Sequence, residues 1–571
     1  MSDTSHEIVC DVLVAGSGAS GLSAAVTSAF HGLDVIVCER EPVFGGTTAW
    51  SGGWLWIPGN PLARRAGIAE DADEAKTYLE STLGKAAKDP RIVAFLEAGP
   101  EMVSFFEQQG FVAWIDGNHI PDFHDVPGAR NGGRSVSVAA FDARLLGKLA
   151  KTIRPPLDVV SLFGMGLNGQ DLGHFFRAPR SLPSALYATR RLGRHSLDLF
   201  RNRRGQRLVN GNALIAMLLG SADALGVQLW TNAPVVELKC GSGSVCGAVV
   251  KRGGDLVDVT ARKGVVLATG GFPHDHARIA DLFKPALSGQ QHYSAAPETN
   301  LGDGVRLAEA AGAAFDTALE HTAAWCPVSR VPLPYGGYRN FPHLVDRAKP
   351  GIIAVTANGR RFTNEADSYH DFMSAWFDLG KNGDISRCWL IGDHRAQRRY
   401  GLGWSKPFPF PLRTYQKSDY LMSAPTLETL ARKTGISESG LTKTIVAFNA
   451  SAITGEDPEF GRGRSPYNRI QGDAEHYPNP SLGTLEEGPF HAVELFPGSL
   501  GTFAGLKTDA NARVLDNKGI PISGLFSVGN DMSSIFGGHY PSGGITLGPG
   551  MTFGYLAGRT LAGAGSEKTT S

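Results

Sequence analysis

Three glycines near the N-terminus have the type and spacing of a phosphate-binding turn. Gly16, Gly18 and Gly21 directly follow the apolar run Val12–Ala15. In such a turn the first glycine permits a tight bend, the second lets the backbone approach a pyrophosphate, and the third lets helix and strand pack closely. Glu39 lies about 20 residues further on, where a carboxylate can accept hydrogen bonds from a ribose diol. These residues predict an adenine dinucleotide site and redox chemistry.

Two further segments could contact the same ligand. The loop 44–53 is rich in glycine and hydroxyl residues, and it could wrap backbone N–H donors around a large planar cofactor. An ordinary surface loop fits those residues equally well. Residues 524–555 contain another apolar run, a glycine-rich loop and the start of a helix, whose N-terminus would offer N–H groups to an electron-rich group. This late return of the pattern predicts a discontinuous cofactor domain.

The elements that position these residues follow from hydrophobic patterning. Apolar runs predict strands over 11–15 and 35–38 with a helix from residue 22 to 30 between them, and a buried strand over 264–272. A chain of 571 residues is too long for a single core. The predicted domains are 1–285 and 495–565 for the cofactor, with a basic helical excursion at about 150–207, an inserted substrate domain at 286–494, and a flexible tail at 566–571.

Composition narrows the classes of function. The 55 basic and 55 acidic residues give a formal net charge of zero, so no global charge recruits nucleic acid. No apolar stretch reaches the roughly 18 residues of a membrane span, and residues 1–6 lack the features of a signal peptide. The six cysteines form no Cys-x-x-Cys pair, so neither disulfides nor a metal site are indicated. A cytoplasmic location is therefore expected.

Residues 177–207 form a basic stretch in which arginines alternate with leucines and aromatic residues. A basic amphipathic segment can lie on an anionic membrane surface, from which an apolar substrate could partition. The alternative is a solvated helical cover over the active site. The arginines are Arg177, Arg180, Arg190, Arg191, Arg194, Arg201, Arg203, Arg204 and Arg207.

Four segments together resemble a family of flavoproteins: residues 45–53, 359–365, 500–506 and 540–544. The group contains fumarate reductase flavoproteins and 3-ketosteroid Δ1-dehydrogenases, and the last three segments resemble the dehydrogenase branch. The resemblance implies an α/β fold, with a discontinuous Rossmann-like FAD-binding domain and an inserted α+β substrate-capping domain. It implies FAD as cofactor, held without a covalent bond because no histidine lies in 45–53.

The resemblance also assigns cofactor contacts. Glu39 would hold the adenosine ribose, Val236 would contact adenine through its backbone, and Asn530 would lie near the flavin. The full set of expected cofactor-binding residues is Gly16, Gly18, Ser20, Gly21, Glu39, Arg40, Gly46, Thr47, Thr48, Ser51, Gly52, Gly53, Val236, Ala268, Gly270, Asp303, Asn530, Gly544 and Leu547.

Desaturation next to a ketone requires a base for the α proton, donors for the developing enolate oxygen, and a flavin to accept the β hydride. By resemblance, Tyr369 is the base, and Tyr540 with the backbone N–H of Gly544 holds the ketone oxygen. A phenol has a pKa of about 10, so Tyr369 needs assistance near neutral pH. The alternative role for Tyr369 is that of a buried structural tyrosine.

One residue departs from the dehydrogenase pattern. The family carries a second tyrosine where this chain has Phe123, and a phenyl ring cannot relay a proton. His124, Tyr187 and His119 are candidate substitutes. The departure keeps open a smaller ring ketone such as cyclohexanone, or reduction of an enone in the reverse direction. The expected walls of the substrate pocket are Phe123, Trp114, Tyr187 and Trp325.

Two other functions remain as hypotheses. A fumarate-type reductase would need several Arg and His side chains converging on carboxylates, and a flavin-fold protein without turnover would act only in binding or membrane docking. The chain has no Cys-x-x-Cys-His haem motif, so electrons must pass to an external acceptor, either a quinone-like molecule or an electron-transfer protein.

Overall fold

The sheet that begins with the predicted turn is built from both ends of the chain. In this computed structural model, residues 8–241, 243–283, 287, 290–381 and 387–564 are described. The predicted tail, 566–571, and the first six residues lie outside the described residues. The strands are β1 Ile8–Ala15, β2 Val35–Cys38, β3 Leu55–Trp56, β4 Trp114–Asp116, β5 Ser135–Val138, β6 Phe141–Asp142, β7 Arg207–Leu208, β8 Gln228–Trp230, β9 Val235–Gly241, β10 Ser244–Arg252, β11 Asp255–Leu267, β12 Tyr293–Ser294, β13 Phe315–Asp316, β14 Ala323–Trp325, β15 Val328–Pro332, β16 Tyr338–Pro342, β17 Ile352–Thr356, β18 Cys388–Gly392, β19 Met422–Ala424, β20 Phe490–Leu495, β21 Gly498–Thr502, β22 Gly505–Leu506, β23 Arg513–Leu515 and β24 Pro521–Ser527.

Helices cover both faces of this sheet and surround the inserted segment. They are α1 Ala19–Phe30, α2 Pro61–Arg65, α3 Ala72–Leu83, α4 Pro90–Gln108, α5 Gly169–Arg177, α6 Leu182–Asn202, α7 Asn210–Ala224, α8 His276–Leu282, α9 Asp303–Ala310, α10 Tyr369–Lys381, α11 His394–Tyr400, α12 Arg413–Lys417, α13 Leu427–Thr434, α14 Glu438–Thr454, α15 Pro466–Gln471 and α16 Leu547–Ala562.

The main sheet has the order β23-β24-β11-β1-β2-β8, and β9 and β10 extend it as an antiparallel pair beside β11. Strands β24, β11, β1, β2 and β8 run parallel, so their carboxyl ends lie at one edge. Open parallel sheets bind ligands at that edge. The predicted strand over 264–272 ends earlier, at Leu267, because Gly270 and Gly271 adopt positive φ angles of 95° and 76° that a strand cannot continue.

The first and last helices of the chain pack directly against each other. A Cβ at Gly554 would lie 2.4 Å from the Ser20 carbonyl oxygen, and a Cβ at Gly558 would lie 2.9 Å from that of Ala24. These glycines let the α1 and α16 backbones approach. The Ser23 hydroxyl donates to the Met551 carbonyl over 2.8 Å across the contact.

A separate antiparallel sheet, β17-β18-β20-β19, forms the centre of the inserted segment. Its core contains Ile353, Trp389 and Ile391 packed against Leu441 and Phe448 from α14. The fold class is thereby confirmed: an α/β domain made from two distant parts of the chain, with an α+β insertion. The exact domain boundaries stay predictions.

The basic excursion folds as two helices, α5 and α6, beside the sheet. The Asp171 carboxylate, which is fully buried, accepts hydrogen bonds from Tyr187 (2.6 Å), Arg191 (3.1 Å) and Arg207 (3.1 Å). This charged core joins the two helices to strand β7. Within the described residues, no helix has the length and hydropathy needed to cross a membrane.

Candidate active site

The glycine turn has the packing that its spacing predicts. Gly16 has a φ of 110°, and a Cβ there would lie 2.1 Å from the Ala268 carbonyl oxygen. A Cβ at Gly21 would lie 2.2 Å from the Gly16 carbonyl oxygen. The missing Cβ of Gly18, in contrast, has only the Thr48 hydroxyl within reach, at 3.6 Å. Gly16 and Gly21 therefore make the turn possible, and Gly18 leaves bare backbone at the start of α1.

Glu39 ends the second strand of the unit with a buried carboxylate. It accepts hydrogen bonds from the Ser17 backbone N–H (3.2 Å) and hydroxyl (2.5 Å) and from the Glu41 N–H (3.0 Å). Burial raises the pKa of Glu39, and the hydrogen bonds from Ser17 and Glu41 oppose that rise. The carboxylate thus lies at the carboxyl edge of the sheet, beside the turn, as a ribose-binding acid must.

The loop after β2 closes over the start of α1. The Thr48 hydroxyl accepts the N–H of Ala19 over 3.1 Å, and the Thr47 hydroxyl accepts from Asn300 over 3.0 Å. Ser51 donates to the Thr48 carbonyl, which fixes the loop internally. The missing Cβ of Gly46, at a φ of 49°, has no atom within 4 Å. The loop therefore packs against the start of α1 and leaves bare backbone at Gly46, and its contact with a cofactor stays a prediction.

Residues from the second half of the chain complete this groove. Asp531 is fully buried and accepts from the Thr269 N–H (2.5 Å), the Thr269 hydroxyl (2.9 Å) and the Gly271 N–H (2.9 Å). It holds the turn after β11 next to Asn530. The sequence did not single out Asp531, because its role depends on a contact 262 residues away. Arg40 pairs with Asp303 at the start of α9, Val236 is half-exposed on β9, and Leu547 begins α16.

Two buried tyrosines face each other at the expected reaction centre. The ring centroids of Tyr369, the first residue of α10, and Tyr540 lie 5.0 Å apart in an edge-on arrangement. Gly544 follows in the same loop with a φ of 102°, and a Cβ there would lie 2.7 Å from the Trp54 carbonyl oxygen and the Trp56 nitrogen. The structure therefore brings Tyr369 and Tyr540 together and requires glycine at 544.

Both phenols hold their protons firmly. Burial raises the pKa of Tyr369 well above its usual value of 10, and the neighbouring Tyr540 raises it further. Burial also raises the pKa of Tyr540, but hydrogen bonding from Tyr369 limits it to about 12. A protonated Tyr540 suits a hydrogen-bond donor to a ketone. A protonated Tyr369 can act as a base only if its own proton leaves as it accepts another.

Phe123 lies inside this cluster and not at its edge. Its ring is stacked at 5.8 Å from Tyr540 and is edge-on at 5.8 Å from Tyr369. Its backbone N–H donates to the Pro541 carbonyl over 3.1 Å, which links the Phe123 loop to the Tyr540 loop. Phe123 thus contacts both tyrosines, and its role as a wall of the substrate pocket stays a prediction.

A fourth aromatic residue, Tyr467, joins the cluster, although the sequence did not single it out. Its ring centroid lies 4.4 Å from that of Phe123, and burial raises its pKa. The next residue, Asn468, donates to Asp367 over 2.9 Å, so α15 is attached to the segment that precedes Tyr369. Phe123 stands where the family has a tyrosine, and in this chain Tyr467, from another part of the sequence, lies beside it.

His370 packs against Tyr540 as a neutral imidazole whose orientation is fixed by a hydrogen bond. Its Nδ1 accepts the Trp325 backbone N–H over 3.2 Å, so its proton resides on Nε2. Burial lowers the pKa of His370 to about 3, and the nearby His321 contributes to that shift. Its ring centroid is 5.7 Å from that of Tyr540. Trp325, an expected wall of the substrate pocket, thus contacts the site through its backbone N–H, which donates to His370.

Three of the other expected pocket residues and proton-relay candidates, Tyr187, Trp114 and His119, lie apart from this cluster. Tyr187 is bonded to Asp171 between α5 and α6, the Trp114 indole donates to the Val103 carbonyl over 3.0 Å, and His119 is exposed. Within the described residues, the rings of Tyr187 and Trp114 make no contact with Tyr369 or Tyr540. His124 Nε2 lies 2.9 Å from Asp371 Oδ2 on α10. It connects the Phe123 loop to the helix that Tyr369 begins.

Comparisons with known proteins agree with this geometry. The FAD binding domain family matches residues 11–547. The 4-oxocyclohex-2-ene-1-carboxylate 5-dehydrogenase of Sinomonas cyclohexanicum is 40% identical, covering 97% of this chain and 94% of its own. The 3-oxosteroid 1-dehydrogenase of Mycolicibacterium smegmatis is 35% identical, with 97% of each chain covered.

A solved structure gives the same result. The 3-ketosteroid Δ1-dehydrogenase from Sterolibacterium denitrificans, in complex with 1,4-androstadiene-3,17-dione, matches with a TM-score of 0.88 at 33% identity, covering 97% of this chain and 100% of its own. The family resemblance and the choice of FAD are confirmed. The chain belongs to the FAD-binding oxidoreductases, in the family that contains the 3-ketosteroid Δ1-dehydrogenases.

Proposed function

We propose that this protein desaturates a cyclic ketone, forming a C=C bond between the carbons α and β to the carbonyl. The observation that carries the proposal is the buried pair Tyr369 and Tyr540, with ring centroids 5.0 Å apart beside Gly544. Phe123 and Phe503 surround the pair with apolar surface. The relatives that are named for steroid and cyclohexene ketones support the same class of substrate.

The groove at the carboxyl edge of the main sheet fits FAD. Its backbone is bare at Gly18 and Gly46, where an added Cβ would find open space or only the Thr48 hydroxyl. We assign Glu39 to the ribose, the start of α1 to the pyrophosphate, and Asn530 with the 540–547 loop to the flavin. When bound, FAD supplies the acceptor for the β hydrogen as hydride.

The protein's own groups handle the proton and the oxygen. The Tyr540 hydroxyl and the Gly544 N–H would donate to the ketone oxygen and stabilise the negative charge that develops as the α proton leaves. Tyr369 would accept that proton. Its raised pKa requires its own phenol proton to leave in the same step, and we assign Tyr467 as the relay: this phenol would take up that proton as it releases its own to water, which is the final acceptor.

Fumarate-type reduction is not favoured, because Arg347, His343 and Arg330 of the inserted segment are engaged with groups of the protein itself. Arg347 donates to the carbonyls of His343, Glu365 and Asp367, and His343 itself bonds Asp346. Arg330 lies over the Tyr293 and Tyr338 rings. A dicarboxylate would require such groups to be free and convergent.

The test follows flavin absorbance under anaerobic conditions while a ring ketone is added to FAD-loaded protein. We expect bleaching by cyclohexanone or by a 3-ketosteroid, and the ketone that bleaches at the lower concentration assigns the ring size. In Tyr369→Phe, bleaching should be about 10²- to 10⁴-fold slower with FAD retained. Tyr555→Phe, which removes a hydroxyl bonded to Glu101, is the matched control and should bleach as wild type. A loaded protein that neither ketone bleaches contradicts the proposal.

The same preparation assigns the electron acceptor. We propose a quinone-like acceptor, for which the recovery of flavin absorbance after adding a soluble quinone would be faster than after adding an electron-transfer protein. The opposite order would reject the quinone. The physiological quinones of electron transport reside in membranes. Membrane contact through residues 177–207 is therefore part of the same proposal.

A further inference from the structure

Helix α6 leaves an apolar stripe exposed along its outer face. At about 100° per residue, Leu182, Leu186, Leu197 and Phe200 fall within about 60° of the helix circumference. Their exposed fractions are 74% for Leu182, 63% for Leu186, 46% for Leu197 and 88% for Phe200. The opposite face holds the helix on the protein through the buried residues Ser184, Ala188, His195 and Asp198. The stripe is therefore not needed for packing.

Arginines border this stripe on one side. Arg190, Arg194 and Arg201 follow in the next part of the circumference, at about 80° to 120° from Leu182. All three are exposed. The one acid of the helix, Asp198, is buried and accepts the Gln206 N–H. In the part of the chain that the structure describes, no ion pair engages Arg190 or Arg201. Arg180, before the helix, lies 3.6 Å from Glu475.

We infer that this face of α6 docks on an anionic lipid bilayer. The exposed leucines and Phe200 would enter the boundary between headgroups and acyl chains, while the arginines contact lipid phosphates. A second copy of the chain fits less well, because two such faces would bring like charges together. The inference extends the proposed membrane contact, and it excludes the alternative of a purely solvated cover.

Docking also explains why the excursion has a charged core. Asp171 joins α5, α6 and β7 through Tyr187, Arg191 and Arg207, so the outer face is presented by a rigid support. At the base of the excursion, Arg204 donates to the Ile153 carbonyl, and the Arg154 N–H donates to Phe44, next to the cofactor loop. The proposed lipid surface is thus joined structurally to the cofactor loop.

The test measures sedimentation of FAD-loaded full-length protein with vesicles, and it reads binding and not turnover. We expect binding to phosphatidylcholine vesicles that contain 30% phosphatidylglycerol, weaker binding as NaCl rises, and little binding to pure phosphatidylcholine. The triple variant R190Q/R194Q/R201Q should bind about 100-fold less tightly, at about a fivefold loss per arginine. L186A/F200A should lose binding even at low salt.

The matched control is V446A/I453A on α14. Val446 and Ile453 are 66% and 67% exposed, and the only basic residue of this helix is Lys443. It should bind as wild type. Equal binding to both vesicle types, or an unchanged triple variant, overturns the inference. A dimer in light scattering that L186A/F200A dissociates would assign the stripe to subunit contact instead. Because vesicle binding does not require turnover, failure here and failure of ketone bleaching are separate results.

Discussion

The two facing phenols have different requirements for their protons. Tyr540 must keep its proton to donate to a ketone, and a pKa of about 12 satisfies that requirement at neutral pH. Tyr369 must lose its proton during the reaction, yet burial raises its pKa. Phe123 cannot assist, because a phenyl ring has no exchangeable proton. Another buried phenol in the cluster is that of Tyr467, whose ring contacts Phe123.

Replacing Tyr467 therefore tests the relay. We expect Tyr467→Phe to lower kcat at least about tenfold with little change in KM, since proton transfer slows while ketone binding remains. Because the charge of Tyr467 would raise the pKa of Tyr369, its removal should move the pH at which kcat reaches half its maximum downward. F123Y/Y467F places the hydroxyl at the family's position and should recover most of the rate. Equal kcat values for wild type and Tyr467→Phe across pH would remove Tyr467 from the mechanism.

Sequence alone predicted those residues whose roles depend on local spacing. Gly16, Gly18, Gly21 and Glu39 lie in one βαβ unit, and their spacing specifies the geometry. Tyr369, Tyr540 and Gly544 came only from the family resemblance, because 171 residues separate the two tyrosines and no local pattern joins them. Tyr467 and Asp531 were missed for the same reason: each acts through contacts that only the folded chain creates.

At the scale of elements, α10 positions Tyr369 and is held from two sides. The Asp371 carboxylate accepts from Ser368 over 2.7 Å within the helix start and pairs with His124 from the Phe123 loop. Burial acts to lower the pKa of His124, but Asp371 outweighs it and raises the pKa. Burial acts to raise the pKa of Asp371, and His124 holds it below its usual value.

The pH dependence of this link can be predicted. A raised histidine pKa stabilises the fold below its unfolded value of about 6.5 and loses that effect as pH rises through the folded pKa. The aspartate contributes above about pH 4. Asp371→Asn should therefore lower the free energy of unfolding more at about pH 6 than at pH 8.5, by no more than about 1 kcal/mol because the pair is partly exposed. Thermal unfolding at the two pH values measures this difference as a larger loss of Tm at pH 6.

Asp378→Asn provides the control for that comparison on the same helix. Asp378 pairs with Lys381 on the exposed side of α10, at 2.8 Å. Its effect on Tm should be small and nearly equal at the two pH values. A pH-independent Tm loss in Asp371→Asn would mean that its contacts with Ser368, and not the pair with His124, stabilise the helix start.

At the scale of the whole molecule, residues 359–365 join the inserted domain around a buried ion network. The fully buried Glu365 accepts from Arg361 (2.7 Å) and Arg462 (3.1 Å) and from the Ala354 N–H of β17 (3.1 Å). Arg361 also pairs with Asp457 at 2.9 Å. Residues 359–365, which resemble the dehydrogenase branch, thus have a structural role in the inserted domain that contains α10.

Acid should release this network. Burial acts to raise the pKa of Glu365, but Arg361 and Arg462 outweigh it and hold the pKa at about 2. A lowered carboxyl pKa stabilises the fold above its unfolded value and loses that effect as pH falls from about 4.5 toward 2. Glu365→Gln should cost about 3 kcal/mol at pH 7 and much less at pH 3, measured by urea unfolding.

Glu459→Gln is the control, because Glu459 approaches the same arginine at 3.7 Å but is 60% exposed. It should change stability by less than about 0.5 kcal/mol at either pH. If Glu365→Gln lost the same stability at pH 3 as at pH 7, the charge of Glu365 would not be the source of its effect.

The placement of β11 between the first and last strands of the chain has a consequence during synthesis. Strand β11 pairs with β1 on one side and β24 on the other, and Ser23 bonds Met551. At about 5–20 residues per second, a ribosome needs about 25–100 s to proceed from the glycine turn to β24. Through that interval the nascent chain holds a half-built nucleotide groove with an unpaired strand edge. We therefore expect FAD to bind only after nearly the entire polypeptide has been synthesised, and the unpaired edge to need protection from aggregation until then.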